Sequence, residues 1–323
     1  MKGSNAIQPI LNAWLTLPLN LSNHSKKTRY FLLINRGFFA EALGDAVTQA
    51  KFAPHEYNES VLPAVAAEYE QSLRSPTHHA LDLAHSLAFR SGLGSSLFAD
   101  PHTAVDHAAT IAFANATFGQ ASNIAVAATG VEESTLRSLV DEFFTTSTPA
   151  AASTSTLSPT QYFGGDLRIA SVLHSASPSD TLLLAFQGAS SASSANLSVL
   201  RHLLGGESSI KWSKGTSPLS LLSTSSHVSA QAFNLAYSDA GLFGVVLRAP
   251  TREMRALAEK TIAILNSLKS AGGIKEESLK QAIAKAKFEK ASEVESKIAR
   301  LESVGAQVKH SPCFLLGVVH LTD

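Results

Sequence analysis

The sequence contains a single cysteine, Cys313, among its 323 residues. One cysteine cannot form an intramolecular disulfide, and it cannot build a zinc site from thiolates alone. The same count excludes a haem attached through C-x-x-C-H and an iron–sulfur cluster held by several cysteines. We therefore expect no redox cofactor on this polypeptide, and no other cofactor motif occurs in it.

Charged residues are also scarce, at 16% of the chain, and 26 Lys and Arg balance 26 Asp and Glu. Without a dense basic block, the sequence has no electrostatic footprint for nucleic acid or for an anionic membrane surface. No apolar run approaches the roughly 18 residues of a membrane span. The longest candidate, Cys313–Leu321, is short and contains His320. These absences favour a globular protein with a weakly charged surface.

Acidic residues are missing from the first 40 positions, where Glu41 is the first. An acid-poor segment with serine and basic residues is typical of organelle transit peptides, although such peptides are usually richer in arginine. The same region shows neither a helical nor a strand period.

Helices and short strands cluster separately along the chain, which indicates an α+β fold rather than strict βαβ alternation. The hydrophobic pattern predicts helices from Gly37 onward, a buried strand over 124–129 and, in the second half, strands over 163–172, 181–187, 227–238 and 242–247. Residues 145–160 are uncharged and rich in Ser, Thr, Pro and Ala, which is typical of a linker. A long helix is predicted over 276–304, with an inner stripe at Leu279, Ile283, Ala286, Val294, Ile298 and Leu301.

Metal ligation has one sequence candidate, since His78, Asp82 and His85 lie at i, i+4 and i+7 of a predicted helix and share one face. The apolar residues of this helix lie opposite, so a solvated polar face explains the triplet as well, and no fourth ligand is evident. His55-Glu56 begins neither H-E-x-x-H nor H-x-x-E-H and is interpreted as a polar helix start.

Other catalytic motifs are equally weak. There is no G-x-S-x-G elbow, and Gly92-Leu-Gly94 follows a helix rather than the strand that a dinucleotide fingerprint requires. The acidic residues of 276–295, Glu289 among them, are interpreted as solvated charges of an exposed helix. The sequence thus predicts no catalytic, metal-binding or cofactor-binding residues.

Four segments resemble the insulinase/pitrilysin-type family and its mitochondrial branch. They are SPTHHALDLAHSLAFRSGLGSSLF (75–98), QYFGGDLRIAS (161–171), LGGESSIKW (204–212) and YSDAGLFG (237–244). The resemblance extends over about 38–308 and implies two related layered domains, each a mainly antiparallel sheet backed by helices, both incomplete here. It implies a first domain ending at 38–145, a linker at 146–160 and the start of a second domain at 161–308.

Within that branch, the resemblance implies a catalytically silent core subunit of the ubiquinol–cytochrome c reductase. The implied partners are core protein 1, cytochrome b, the c-type cytochrome and the Rieske protein, on the matrix side of the mitochondrial inner membrane, with no nucleic acid and no small-molecule substrate. The alternative is the α subunit of the mitochondrial processing peptidase, a zinc endopeptidase that cleaves presequences. Its long glycine-rich loop corresponds here to ESSIKWSKGTSPLS (207–220), which has only Gly215.

The ends depart from the family pattern. Residues 1–37 do not match the start of a first domain, where a zinc motif would lie, and 309–323 do not match the continuation of a second. We hypothesise that both ends derive from an incomplete gene model or aberrant splicing. Whether the complete protein carries a zinc motif stays open at this point.

Overall fold

The structure is a computed structural model that describes residues 36–103, 105–118, 126–144, 159–170, 179–206, 215–223, 227–270, 273–295, 299–301 and 318–321. Most of the unmatched N-terminal segment, the linker over 145–158, the loop over 207–214 and the tail over 302–317 lie outside the described residues. The described part combines helices with a three-stranded antiparallel sheet, which confirms the α+β class.

The helices and strands follow one another along the chain in blocks. The first block is α1 (Arg36–Thr48), α2 (Pro54–Glu56), a π-helical turn (Tyr57–Val61), α3 (Leu62–Leu73), α4 (Pro76–Phe89), α5 (His107–Phe118), β1 (Val126–Thr129) and α6 (Glu133–Phe143). The second is β2 (Asp180–Gln187), α7 (Ala195–Leu204), β3 (Ser229–Ala236), β4 (Gly241–Ala249), α8 (Thr251–Ser267), α9 (Glu276–Glu295) and β5 (Val318–Leu321).

Two compact units divide the chain. One takes in the described residues between 65 and 101 and between 157 and 291, and the other those between 9 and 64, between 102 and 156 and between 292 and 323. We call them the sheet unit and the helical unit.

The sheet unit is built on strands in the order β2-β4-β3, both pairs antiparallel. Central β4 alternates its side chains between two faces, as a strand must. Phe243, Val245 and Leu247 point into the larger core, which α7 and α8 cover, whereas Leu242 points into a second core beneath α4. Helices therefore cover both faces of this sheet.

Most elements of the sheet unit agree with the sequence pattern. The predicted helix over Ala195–Leu204 has those bounds, and the turn Ser238–Ala240 joins the predicted hairpin of β3 and β4. Helix α4 begins at Pro76 rather than after Thr77, because proline at a first helical turn loses no hydrogen bond.

Two predictions in this unit were wrong. Residues 163–170 form no strand; Gly164 and Gly165 have φ of +73° and +155°, a conformation that a regular strand does not use. The inner stripe of α9 is also displaced, since Ala282 and Ala286 are buried while Leu279 and Ile283 are exposed.

The helical unit contains the packed pair α1 and α6. Gly44 makes their close approach possible, because a Cβ at this position would collide with the carbonyl oxygen of Phe143. Strand β1, predicted from its apolar run, pairs in parallel with β5, with Val126 opposite Val318. The β5 pairing was not predicted, since the tail sequence carries no period that identifies a partner.

None of the helices in the described ranges is long and apolar enough to cross a bilayer.

Candidate functional site

Helix α4 provides the centre of the candidate site. Its buried residues Ala84, Ala88 and Phe89 lie beneath the sheet with Leu242, so the helix is fixed by an apolar stripe. His85 lies beside this stripe and is half-buried. The packing of α4 thus places one imidazole against the β3–β4 hairpin.

Both nitrogens of His85 are engaged within the protein. Nδ1 lies 2.7 Å from the carbonyl oxygen of Leu81, and Nε2 lies 2.6 Å from the hydroxyl of Tyr237. A carbonyl only accepts, so Nδ1 must carry a proton, and a neutral imidazole then accepts the Tyr237 proton at Nε2. The rings meet edge to face, with centroids 5.7 Å apart.

Tyr237 opens the hairpin turn. Its backbone N–H donates to the carbonyl of Ala240 at 2.8 Å, and its carbonyl accepts from the N–H of Ser191 at 2.7 Å. Burial raises the pKa of the Tyr237 hydroxyl, so the phenol remains protonated at neutral pH and can donate to His85.

Asp239, in the same turn, holds the segment that follows the linker. Its Oδ2 accepts from the backbone N–H of Thr160 at 3.0 Å. Hydrogen bonds from Thr160 hold the pKa of Asp239 below its usual value, against a smaller opposing effect of burial. Three residues later Phe163 donates its N–H to the carbonyl of Ala88 at 2.7 Å.

Aromatic contacts complete the arrangement. Tyr162 meets Phe89 edge to face at 6.3 Å, and the guanidinium of Arg90 lies 4.4 Å from the centre of the Phe163 ring. Segments 75–98, 159–163 and 237–244 therefore converge on the C-terminal half of α4. We call this arrangement the motif junction, because three of the four family-like segments meet there.

The structure separates the sequence-derived metal candidates. His78 is exposed, and His85 is used as described above. Asp82 accepts from the Ser96 hydroxyl at 2.7 Å and from the N–H of Leu97 at 3.1 Å. Across the described residues, no three His, Cys, Asp or Glu side chains are grouped in a way that could hold a metal ion. The alternative of a merely solvated face was wrong for Asp82 and His85, which bind other parts of the sheet unit.

His55-Glu56 is a polar helix start, as interpreted from the sequence, since α2 begins at Pro54 and contains both residues. No catalytic role was assigned to the pair, and the structure gives it none.

A second polar cluster joins α7 to α9. Glu289 accepts from Arg201 and lies 2.9 Å from Nε2 of His202. Burial tends to raise the pKa of Glu289, but the hydrogen bonds and positive charge of Arg201 and His202 outweigh it and lower that pKa. The interpretation of Glu289 as a solvated helix charge was therefore wrong.

What these arrangements do chemically is join segments. The His85 imidazole has no unoccupied nitrogen to act as a base or ligand, and Glu289 is committed to a cation. Sequence reasoning missed both pairings, because 152 residues separate His85 from Tyr237 and 88 separate Arg201 from Glu289. The available signal was that His85 and Tyr237 each lie in a family-like segment.

Comparison with known families matches residues 104–286 to the peptidase M16 inactive domain. The mitochondrial cytochrome b-c1 complex subunit 2 of Cryptococcus neoformans is 43% identical over 279 residues, which are 83% of this chain and 63% of the relative. The protein of the same name from Neurospora crassa is 34% identical over 285 residues, 86% of this chain and 61% of the relative.

A chain in the solved complex III2 of Candida albicans with Inz-5 bound has a similar fold. The TM-score is 0.68 at 17% identity, and the match covers 84% of this chain and 65% of that chain. The present chain thus spans less than two thirds of the length of these proteins.

Proposed function

Because this chain belongs to the peptidase M16 family, whose inactive domain it matches over 104–286, we propose that it acts as a non-catalytic structural subunit of the mitochondrial ubiquinol–cytochrome c reductase. It would correspond to core protein 2 of that complex. The observation that carries the proposal is the 43% identity, over 83% of the chain, to a protein named as subunit 2 of the cytochrome b-c1 complex.

The geometry of the motif junction supports a structural role. Catalytic imidazoles need a free nitrogen near the reacting atoms. His85, in the most family-like helix, instead uses both nitrogens to connect α4 with the hairpin. We propose that residues 38–308 contain no catalytic, metal-binding or cofactor-binding residue and contribute a rigid platform.

The partners and location follow from the same proposal. Core protein 1, cytochrome b, the c-type cytochrome and the Rieske protein are the expected neighbours, and the chain would lie peripherally on the matrix side of the inner membrane. The lack of a membrane-crossing helix among the described residues fits a peripheral position.

The domain organisation proposed here keeps the sequence-derived boundaries. Residues 38–145 would belong to a first peptidase-like domain and 161–308 to a second, with 146–160 as the linker. The alternative role, as the α subunit of the processing peptidase, gains no support from the two relatives, since both are named as cytochrome b-c1 subunits.

Affinity purification tests the proposal. The full chain, tagged and expressed in a fungal host, would be purified from detergent-solubilised mitochondria and its companions identified by mass spectrometry. We expect cytochrome b, the c-type cytochrome, the Rieske protein and core protein 1 in constant ratio. Recovery with a zinc-binding processing peptidase subunit alone, or without any companion, would overturn the proposal.

A further inference from the structure

Residues 164–170 are an unpaired strand-like segment of the sheet unit. The structure shows no helix, turn or bend from 159 to 170, so the chain follows an extended path. Its first part is fixed, because Thr160 and Phe163 donate their N–H groups to Asp239 and Ala88. From Gly164 onward, the segment makes no hydrogen bond to the part of the chain that the structure describes.

The side chains of this segment have the alternation of a strand with one apolar face. Leu167 and Ile169 are 54% and 49% exposed and share a face with Gly165. Asp166 and Arg168, also exposed, share the other face. An exposed, apolar and unpaired strand is a template for pairing with another strand.

We infer that this segment is a self-association surface, on which a second copy of the chain adds its own residues 164–170 as an antiparallel strand. The charges identify the partner. In an antiparallel pair centred on Leu167, Asp166 of each copy lies opposite Arg168 of the other, giving two cross-strand ion pairs.

The apolar face is matched in the same register. Ile169 of each copy lies opposite Gly165 of the other, and the two Leu167 residues face each other. The sheet unit already contains such a pairing, since Phe233 lies opposite Gly244 and its ring is 2.8 Å from the position a Gly244 Cβ would take. A large side chain thus fills the space that its glycine partner leaves.

The predicted dimer is weak, because a single pair of short strands buries less than the roughly 1,200 Å² of a standard interface. It therefore depends on protein concentration. The inference stands independently of the proposed function, since it concerns a surface of the isolated chain.

Charge reversal tests the pairing. Sedimentation equilibrium of the full chain should show a reversible monomer–dimer equilibrium. Asp166→Arg or Arg168→Asp alone should weaken homodimerisation about tenfold, because both attractions become repulsions. The double variant Asp166→Arg/Arg168→Asp should restore it.

The decisive arm mixes the two single variants. Their charges are complementary, so they should form a heterodimer with near wild-type affinity although each alone dimerises poorly, which also shows that both are folded. Asp141→Arg, at an exposed position on α6, is the control and should not change the dimer. A monomeric wild-type chain, or a dimer insensitive to Asp166→Arg, would overturn the inference.

Discussion

The hydroxyl of Tyr237 lies 2.6 Å from Nε2 of His85, so a hairpin turn and a helix 152 residues earlier in the chain are joined by one hydrogen bond. The helix contains one family-like segment and the turn is another. The bond therefore gives these two segments a shared structural role, because together they fix α4 against the sheet.

Replacing Tyr237 by Phe removes that bond while keeping the ring. His85 Nε2 then loses its partner, and the free energy of unfolding should fall by about 1 kcal/mol. Urea unfolding of the two proteins gives the difference. Tyr162→Phe is the control, since no hydrogen bond of the Tyr162 hydroxyl is found among the described residues, and it should change stability by less than about 0.5 kcal/mol. Equal losses in both variants would count against the role of the His85–Tyr237 bond.

The pH dependence of stability should also report on Tyr237. Burial raises its pKa above the ordinary 10.0, so the unfolded chain loses this proton at a lower pH than the folded protein. The contribution is therefore fully present below pH 10.0 and is lost as pH rises through the higher folded pKa. Comparing unfolding of the wild type and Tyr237→Phe on both sides of that pH isolates the effect from lysine titration. Parallel profiles would show that Tyr237 is not protected in the folded state.

Glu289 should act at the opposite end of the pH scale. Its pKa is lowered from 4.5 by Arg201 and His202, so its contribution is present above that value and is lost as pH falls through the folded pKa. Because Glu289 remains 36% exposed, Glu289→Gln should cost only about 0.5 kcal/mol at neutral pH.

The control for this change is Glu259→Gln, which breaks the far more exposed pair with Arg255. It should have no measurable effect on the urea midpoint. A Glu259→Gln loss as large as that of Glu289→Gln would show that partial burial adds nothing to the α7–α9 cluster.

Gly244 in central strand β4 should tolerate no side chain. An added methyl would collide with the carbonyl oxygen of Leu184 and lie 2.8 Å from the Phe233 ring. Gly244→Ala should therefore destabilise the sheet unit by about 2 kcal/mol or more. Gly37→Ala, where a Cβ meets nothing within 4 Å, should be neutral or slightly stabilising. Thermal unfolding of both variants tests this, and a stable Gly244→Ala protein would contradict the strand register.

Zinc binding gives a direct test of the proposal that residues 38–308 carry no metal site. After equilibration with zinc and dialysis, elemental analysis of the purified chain should detect no stoichiometric metal. Zinc that is retained by the wild type and lost in His85→Ala would contradict this, and would show that His85 exchanges Tyr237 for a metal.

The sequence predicted those parts of the fold that depend on local pattern. The helix over Ala195–Leu204 and the hairpin joined by Ser238–Ala240 were correct, because apolar period, a glycine after the helix and turn residues specify them. The expected strand over 163–172 failed over its described part, since composition favours a strand but pairing needs a neighbour.

Long-range pairings could not be predicted from one sequence. His85 lies on the face that also carries Asp82 and His78, which is equally compatible with a metal, with solvent or with a distant tyrosine. Likewise, nothing local to Glu289 indicates that Arg201 would meet it. Only the folded arrangement of α4, α7 and α9 decides between these alternatives.

The most direct test of the central claim is blue-native electrophoresis of solubilised mitochondrial membranes, probed with an antibody against residues 161–308. A structural subunit of the ubiquinol–cytochrome c reductase must migrate with the assembled complex, in the band that contains cytochrome b. Migration only as a soluble heterodimer with a processing peptidase subunit, apart from that band, would contradict the proposal.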